Sequence, residues 1–197
     1  VLRCRITPSD GVLHGATVES PARVLANAAP RYGAVALSPE AGDITDSYAC
    51  LYTDPQDPDG DPVSLAGIRW SADGGEIEGE TAGSIAGSSF VRGQAITCAV
   101  VANDGFEDGA SVSSAPLVVG DAPPTIASVT LSPGAPTEGS TLLCEASGVV
   151  DPDGDALLLR YAWEVAGVPV ANAEANWLDG ADFDKGDAIH AVATPND

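Results

Sequence analysis

The sequence predicts an all-β protein made of tandem antiparallel β-sandwiches. The chain repeats itself, because residues 27–39 (NAAPRYGAVALSP) resemble residues 121–133 (DAPPTIASVTLSP), 94 positions later. Apolar side chains alternate with a period of two, as at Ile96, Cys98 and Val100, which is typical of strands with one buried face. Clusters of Gly, Asp and Pro interrupt these runs at roughly the spacing expected of short strands.

The repeat extends through most of the chain and predicts its domain organisation. After one deletion the offset changes from 94 to 93 residues. The matched pairs are Cys50 with Cys144, the DPDGD sequence of residues 57–61 with that of residues 151–155, Trp70 with Trp163, Phe90 with Phe183, and Arg92 with Lys185. We predict three parts: residues 1–26 are the C-terminal strands of a preceding repeat, residues 27–119 are a complete repeat, and residues 120–197 are a repeat that lacks its last strand. Short proline-containing junctions separate them, and proline limits backbone freedom there.

Composition excludes some classes of function. The chain has 29 acidic and 8 basic residues, a net charge of −21, so a nucleic-acid partner would be repelled. The sequence has no apolar run of 18 residues, and we expect no membrane insertion in this segment. With 44% hydrophobic residues, mostly Ala and Val, it can still build a packed core. The excess of carboxylates favours cations as partners.

Three residues in the complete repeat carry a family resemblance. Cys50, Trp70 and Cys98 resemble the Cys–Trp–Cys signature of the immunoglobulin-like sandwich, with cysteines on strands B and F and a tryptophan on strand C. The DPDGD loops and the Asn-Asp-Gly turn at residues 103–105 are similar to those of bacterial immunoglobulin-like, PKD-like and cadherin-like repeats of large surface proteins. The resemblance implies an extracellular or cell-surface location and a structural or adhesive function.

The same resemblance predicts the state of the cysteines. A disulfide between Cys50 and Cys98 would link strands B and F and indicates an oxidising compartment; the alternative is two buried free thiols. Cys4 takes the F position of the first part, so we expect its partner before Val1. Cys144 takes a B position, but its F counterpart is Ala191, and we expect a buried free thiol.

The acidic loops are candidate calcium sites. Alternating aspartates around a glycine can turn several oxygens inward, and Ca²⁺ takes six to eight oxygen ligands. The spacing resembles the first half of an EF-hand loop, although the glutamate at the twelfth position and the flanking helices are missing. In an immunoglobulin-like sandwich the B–C loop, the F–G loop and the entering linker meet at one end, so three acidic segments would repel unless a divalent ion joined them. The predicted metal ligands are Asp57, Asp59, Asp61, Asp104, Asp121, Asp151, Asp153 and Asp155. The alternative is a solvated turn without metal, because Asp, Pro and Gly form turns regardless of ions.

Nothing in the sequence favours an enzyme. The two histidines, His14 and His190, have no repeated partner, and no CxxC, HExxH or glycine-rich phosphate motif is present. We expect Trp70 and Trp163 in the core and Trp177, which has no counterpart, as an exposed contact. The predicted function is a rigid rod in a surface stalk or an extracellular filament, with neighbouring repeats or copies of itself as partners. The alternative is a carbohydrate-binding or spacer module of a secreted enzyme, for which cell-surface or matrix glycans would be partners.

The two ends of the chain allow two explanations. Either the sequence is a window on a longer array of repeats, or a neighbouring chain supplies the strand that residues 120–197 lack. Because residues 1–10 duplicate the strand that residues 188–197 already provide, we favour the window.

Overall fold

The computed structural model describes all 197 residues and is all-β, without an α-helix. This confirms the predicted fold class. The strands are β1 (Arg5–Ile6), β2 (Val18–Glu19), β3 (Arg31–Ser38), β4 (Ser47–Gln56), β5 (Ser64–Ala72), β6 (Gly75–Glu76), β7 (Ser84–Ala86), β8 (Ala95–Asn103), β9 (Val112–Ser113), β10 (Leu117–Val118), β11 (Thr125–Ser132), β12 (Leu142–Val150), β13 (Leu158–Val165), β14 (Val168–Pro169), β15 (Trp177–Leu178) and β16 (Ile189–Asn196). Two 3₁₀ turns, Gly87–Ser89 and Gly180–Asp182, follow β7 and β15.

Residues 27–119 form a sandwich of two antiparallel sheets. One sheet has the order β3-β4-β7, and the other has the order β10-β8-β5-β6 with β9 also paired to β8. In chain order these strands occupy the A, B and E positions of one sheet and the G, F, C and C′ positions of the other, as in an immunoglobulin-like sandwich. Strand β8 lies at the centre of its sheet, and every second residue of β8 is buried.

The core of this sandwich surrounds Trp70, which is fully buried. Its indole Nε1 donates a hydrogen bond to the carbonyl of Ala82 at 2.9 Å, so its one polar group is satisfied inside the protein. Cys50 on β4 and Cys98 on β8 form a disulfide between the two sheets. The predicted disulfide is therefore confirmed.

Residues 120–197 repeat this plan with fewer strands. One sheet has the order β11-β12-β15 and the other the order β14-β13-β16. Trp163 is buried and donates to the carbonyl of Ala175 at 2.9 Å, matching the bond made by Trp70. Cys144 is a buried free thiol, and burial raises its pKa. No strand pairs with the outer edge of β16, and the buried core here is smaller than in the first sandwich.

Residues 1–26 form a separate two-stranded hairpin. Strand β1 pairs antiparallel with β2, and an isolated bridge joins Leu2 to Arg23. All side chains of the hairpin are exposed, including that of the free Cys4. The predicted boundaries at residues 26 and 119 fall outside the strands and stay predictions. No helix of the structure is long and apolar enough to span a membrane.

The disulfide should stabilise only the sandwich that contains it. The bridge closes a loop with a sequence separation of 48 residues. Replacing both of its cysteines, as Cys50→Ala with Cys98→Ala, should lower the free energy of unfolding of that sandwich by ~3–4 kcal/mol, because the unfolded chain regains conformational entropy. Urea unfolding followed by tryptophan fluorescence measures this loss.

The control for this experiment is Cys4→Ser, which changes an exposed free thiol and should leave the midpoint unchanged. A double variant that unfolds at the same urea concentration as the parent chain would contradict the stabilising role of the bridge.

Candidate cation site at the repeat junctions

The first acidic loop follows the end of β4 and is organised by a single carboxylate. Oδ1 of Asp57 accepts hydrogen bonds from the backbone N–H of Asp59 at 2.8 Å and of Asp61 at 3.0 Å. Gly60 has φ = +83°, a conformation that residues with a side chain rarely adopt. The glycine of the DPDGD sequence is thus required by the backbone of this turn.

The second acidic loop follows β12 and has the same construction. Oδ1 of Asp151 accepts a hydrogen bond from the N–H of Asp155 at 3.0 Å, and Gly154 has φ = +83°. In both loops the other oxygen of the first aspartate, Oδ2 of Asp57 and of Asp151, is buried and has no hydrogen-bond partner. A buried carboxylate oxygen without a donor is energetically costly, so each loop offers one oxygen that a cation could satisfy.

The middle aspartate of each loop binds the linker that enters the sandwich. Oδ2 of Asp59 accepts a hydrogen bond from the backbone N–H of Ala28 at 2.7 Å. Oδ2 of Asp153 accepts the matching bond from the N–H of Ala122, also at 2.7 Å. The linker is therefore attached to its own sandwich in the same way at both junctions.

At the first junction the F–G loop is joined to the linker by Asn27. Its side-chain Nδ2 donates to Oδ2 of Asp104 at 2.8 Å and to Oε1 of Glu107 at 3.0 Å. The hydrogen bond from Asn27, together with those from the N–H groups of Glu107 and Phe106, lowers the pKa of the Asp104 carboxyl. This junction thus places a neutral amide between two carboxylates.

At the second junction a cation from the first sandwich takes the central position. The guanidinium of Arg92, which lies before β8, forms ion pairs with Asp121 of the linker and Asp155 of the second loop. Its Nη2 also donates to Oδ1 of Asp155 at 3.1 Å. The hydrogen bond from Arg92 lowers the pKa of Asp121, and the two carboxylates raise the pKa of Arg92. One side chain therefore joins three parts of the chain: the first sandwich, the linker and the second sandwich.

Five of the eight predicted metal ligands lie in two carboxylate clusters, whereas Asp104, Asp151 and Asp153 lie in neither; the second cluster also contains Asp197, which was not predicted from the sequence. Carboxylate oxygens of Asp57, Asp59 and Asp61 lie within 4.8 Å of one another, and so do those of Asp121, Asp155 and Asp197. Asp104 belongs to neither cluster, although Asn27 joins it to the first linker. In the second loop Asp151 and Asp153 bind backbone N–H groups through one oxygen each.

Sequence reasoning missed the roles of Arg92 and Asn27. It expected the acidic segments of each junction to repel one another unless a metal ion joined them, whereas Arg92 already neutralises part of the second junction. The signal was available in the repeat, because a basic residue recurs at the Lys185 position. Nothing in the repeat shows that the basic side chain at this position reaches the next sandwich.

Comparison with known proteins gives no assignment: no protein-family model matches the chain, and neither does any curated protein.

The ion pairs of Arg92 should make the second junction sensitive to acid. A carboxyl whose pKa is lowered on folding stabilises the protein above its unfolded pKa of about 3.9, and this contribution is lost as the pH falls through the lower folded value. Asp121 is such a group, and Arg92 is the main cause. The variant Arg92→Gln should therefore lose less stability than the parent between pH 5 and pH 2, as measured by urea unfolding at each pH.

The matched control is Arg69→Gln, which removes the same charge from an exposed pair with Glu76 at 3.5 Å, within the first sandwich. We expect the control to follow the parent. An identical loss of stability in Arg92→Gln and in the parent would show that the junction does not set the acid response.

Proposed function

We propose that this chain is a structural or adhesive protein of the extracellular space that forms a rigid rod in a surface stalk or a filament. The observation that carries the proposal is the duplicated attachment of the linkers, in which Ala28 binds Asp59 and Ala122 binds Asp153 at the same distance of 2.7 Å. A linker attached to the sandwich that follows it limits the directions in which consecutive sandwiches can lie. Arrays of repeats with nearest-neighbour contacts use this property to make extended structures.

The ion pairs of Arg92 support the same function. The exposed pairs with Asp121 and Asp155 connect two sandwiches, and they form a network around one guanidinium. Networks of this kind are worth more than isolated surface pairs, since one ordered side chain serves several partners. A connection between sandwiches is of use to a spacer or a rod and has no evident role in catalysis.

We further propose that calcium stiffens the junctions. The residues fit a hard cation, because three carboxylates lie together in each cluster and because Asp57 and Asp151 each keep a buried oxygen without a partner. The two junctions differ, however, in that the guanidinium of Arg92 competes for the oxygens of the second cluster. We therefore expect the first junction, around Asp57, Asp59 and Asp61, to bind calcium more tightly than the second.

We propose no catalytic activity, and a carbohydrate-binding module is the second candidate function. His14 and His190 are both exposed, and His190 lies 3.7 Å from Glu164 on the surface of a sheet. The sugar-binding alternative is favoured by the exposed Trp177, since aromatic faces bind sugar rings. The other strongly exposed aromatic side chain is Phe106, which belongs to the other sandwich. The two aromatic rings therefore do not form one sugar-binding surface.

Calcium should raise the free energy of unfolding of the protein and reduce the range of shapes that the chain adopts in solution. A ligand that binds only the folded state stabilises it by RT ln(1 + [L]/Kd), about 2.7 kcal/mol at 100 times Kd. Isothermal titration calorimetry should detect calcium binding. Asp57→Asn should weaken binding at the first junction, and Arg92→Gln should strengthen binding at the second.

Small-angle X-ray scattering, measured first with calcium and then with a chelator, should show a longer and better defined maximum dimension of the chain in calcium.

The matched control for the titration is Glu78→Gln, which removes an exposed carboxylate outside both clusters and should leave binding unchanged. The absence of binding at millimolar calcium would remove the metal from the proposal. A broad distribution of dimensions under every condition would remove the rod itself.

A further inference from the structure

The outer face of the sheet β11-β12-β15 carries an exposed tryptophan. On β15, Leu178 is 1% exposed and points into the core, so its neighbour Trp177 points to the opposite side of the sheet, where it is 50% exposed. The other two tryptophans of the chain, Trp70 and Trp163, are buried at the centres of their sandwiches. Trp177 is therefore the tryptophan that a partner can contact.

Two carboxylates flank Trp177 on the same face. Leu143 of β12 is the direct cross-strand partner of Trp177, which places Glu145, two residues further along β12, diagonally across from the ring. Asp179 lies two residues after Trp177 in extended backbone and so on the same side of the chain. Cβ atoms at such positions are about 7 Å apart, within reach of an aromatic side chain. Both carboxylates are exposed, and neither forms an ion pair.

The rest of this sheet offers no positive charge. None of its three strands contains a lysine or an arginine. The other outward side chains near Trp177 carry hydroxyl groups or are apolar, and they are Ser128, Thr130, Ser132, Leu143 and Ser147. The hydroxyls of Ser128 and Ser147 lie 2.7 Å apart and bind each other. The charges of Glu145 and Asp179 are therefore not balanced by a cation of their own sheet.

The first sandwich shows that the fold does not require these residues. Ser84 pairs with β4 in the same register in which Trp177 pairs with β12. At the matching positions on the outer face of the first sandwich stand Ser84, Leu51 and Ala86, which are exposed and neither aromatic nor charged. These side chains point away from the core in both sandwiches, so core packing does not explain the ring and the two carboxylates of the second. Contact with a partner would explain them.

An indole ring and two carboxylates attract the same class of ligand. The face of the ring carries partial negative charge and binds the ammonium of Lys or the guanidinium of Arg within about 6 Å of its centre. An ionised carboxylate beside the ring can form an ion pair with the same cation. A sugar presents hydroxyl groups that both donate and accept hydrogen bonds, whereas ionised carboxylates only accept them. The charge of this face therefore favours a cationic partner over a neutral sugar.

We propose that the outer face of the sheet β11-β12-β15 binds a segment of a partner protein that presents Lys or Arg side chains. One cation stacks on Trp177 and pairs with Glu145, and a second cation pairs with Asp179. Residues two apart in an extended segment lie on the same side, about 7 Å from each other, which matches the spacing of Trp177 and Asp179. This partner rests on the adhesive part of the proposed function, to which it gives a binding surface.

Isothermal titration calorimetry of the full chain tests the proposal, with a synthetic peptide in which lysine alternates with serine as the probe. The titration is done in about 0.15 M salt, which screens the long-range attraction of any cation to an acidic chain. Trp177→Ala should weaken binding about fivefold, because one cation–π contact is lost. Glu145→Gln should weaken it about twofold to fivefold, as expected for an exposed ion pair.

The matched control is Glu164→Gln, which removes the same charge from the outer face of the other sheet and should leave binding unchanged. Asp179→Asn should weaken binding without a change of fold, because asparagine keeps an oxygen for the N–H of Ala181, which Asp179 binds at 3.0 Å. The residues changed are all exposed, so each variant should fold as the parent does.

A transfer of the three side chains to the first sandwich tests whether they suffice. A variant that combines Ser84→Trp, Ala86→Asp and Leu51→Glu should bind two peptides per chain where the parent binds one. Equal weakening by Glu145→Gln and Glu164→Gln would reveal only a general attraction of cations and would overturn the proposal. So would binding of a neutral oligosaccharide of β-linked glucose by a chain that does not bind the peptide. A chain that binds no peptide but still scatters as a stiff rod would overturn this inference and leave the proposed rod standing.

Discussion

The structure depends on closing two thin sheets over a single layer of apolar side chains around one tryptophan. The buried side chains are mostly large, such as Trp70, Tyr48 and Phe90, although Ala and Val are the commonest apolar residues of the chain, so each strand that covers the layer matters. The first sandwich has its full set of strands and buries Trp70, Tyr48 and Ile96 completely. The second sandwich buries Trp163 equally well, but Ile189 remains half-buried at its open edge. The two sandwiches thus share the buried tryptophan, but they differ in how well the surrounding strand is covered and in core residues such as Ala191, which stands where the first sandwich has Cys98.

The surface chemistry is concentrated where the sandwiches meet. The net charge is −21, so carboxylates lie close together at the junctions. Backbone N–H groups, the amide of Asn27 and the guanidinium of Arg92 bind these carboxylates. The amide of Asn27 binds carboxylates of the F–G loop at the first junction, and the guanidinium of Arg92 binds carboxylates of the linker and the acidic loop at the second. The neutral amide leaves the negative charge of its junction unchanged, whereas the guanidinium cancels part of the negative charge of the other junction. Junctions of the same fold can therefore differ in how much they need a cation.

Sequence patterns predicted the features that depend on local spacing. The alternation at Ile96, Cys98 and Val100 predicted the buried face of β8, and the resemblance to the Cys–Trp–Cys signature of immunoglobulin-like sandwiches predicted the disulfide. The DPDGD sequence predicted a tight turn, and Gly60 and Gly154 adopt the positive φ that this turn requires. The contacts of Arg92 could not be predicted, because a long side chain at a junction is directed by the placement of two sandwiches, and no periodicity encodes that placement. The unpartnered oxygens of Asp57 and Asp151 depend in the same way on atomic detail.

The disulfide also determines how the chain would respond to a mechanical load. A pull on the two ends of the first sandwich can extend only the residues outside the Cys50–Cys98 loop, because the covalent bond carries the force across it. The cysteines are 48 positions apart in the sequence, so about 160 Å of chain between them cannot be extended by the pull. In the second sandwich Cys144 is a free thiol and the counterpart of Cys98 is Ala191, so no such limit exists. Under tension the second sandwich could therefore lengthen further than the first, because no covalent bond shortens the chain that it can release.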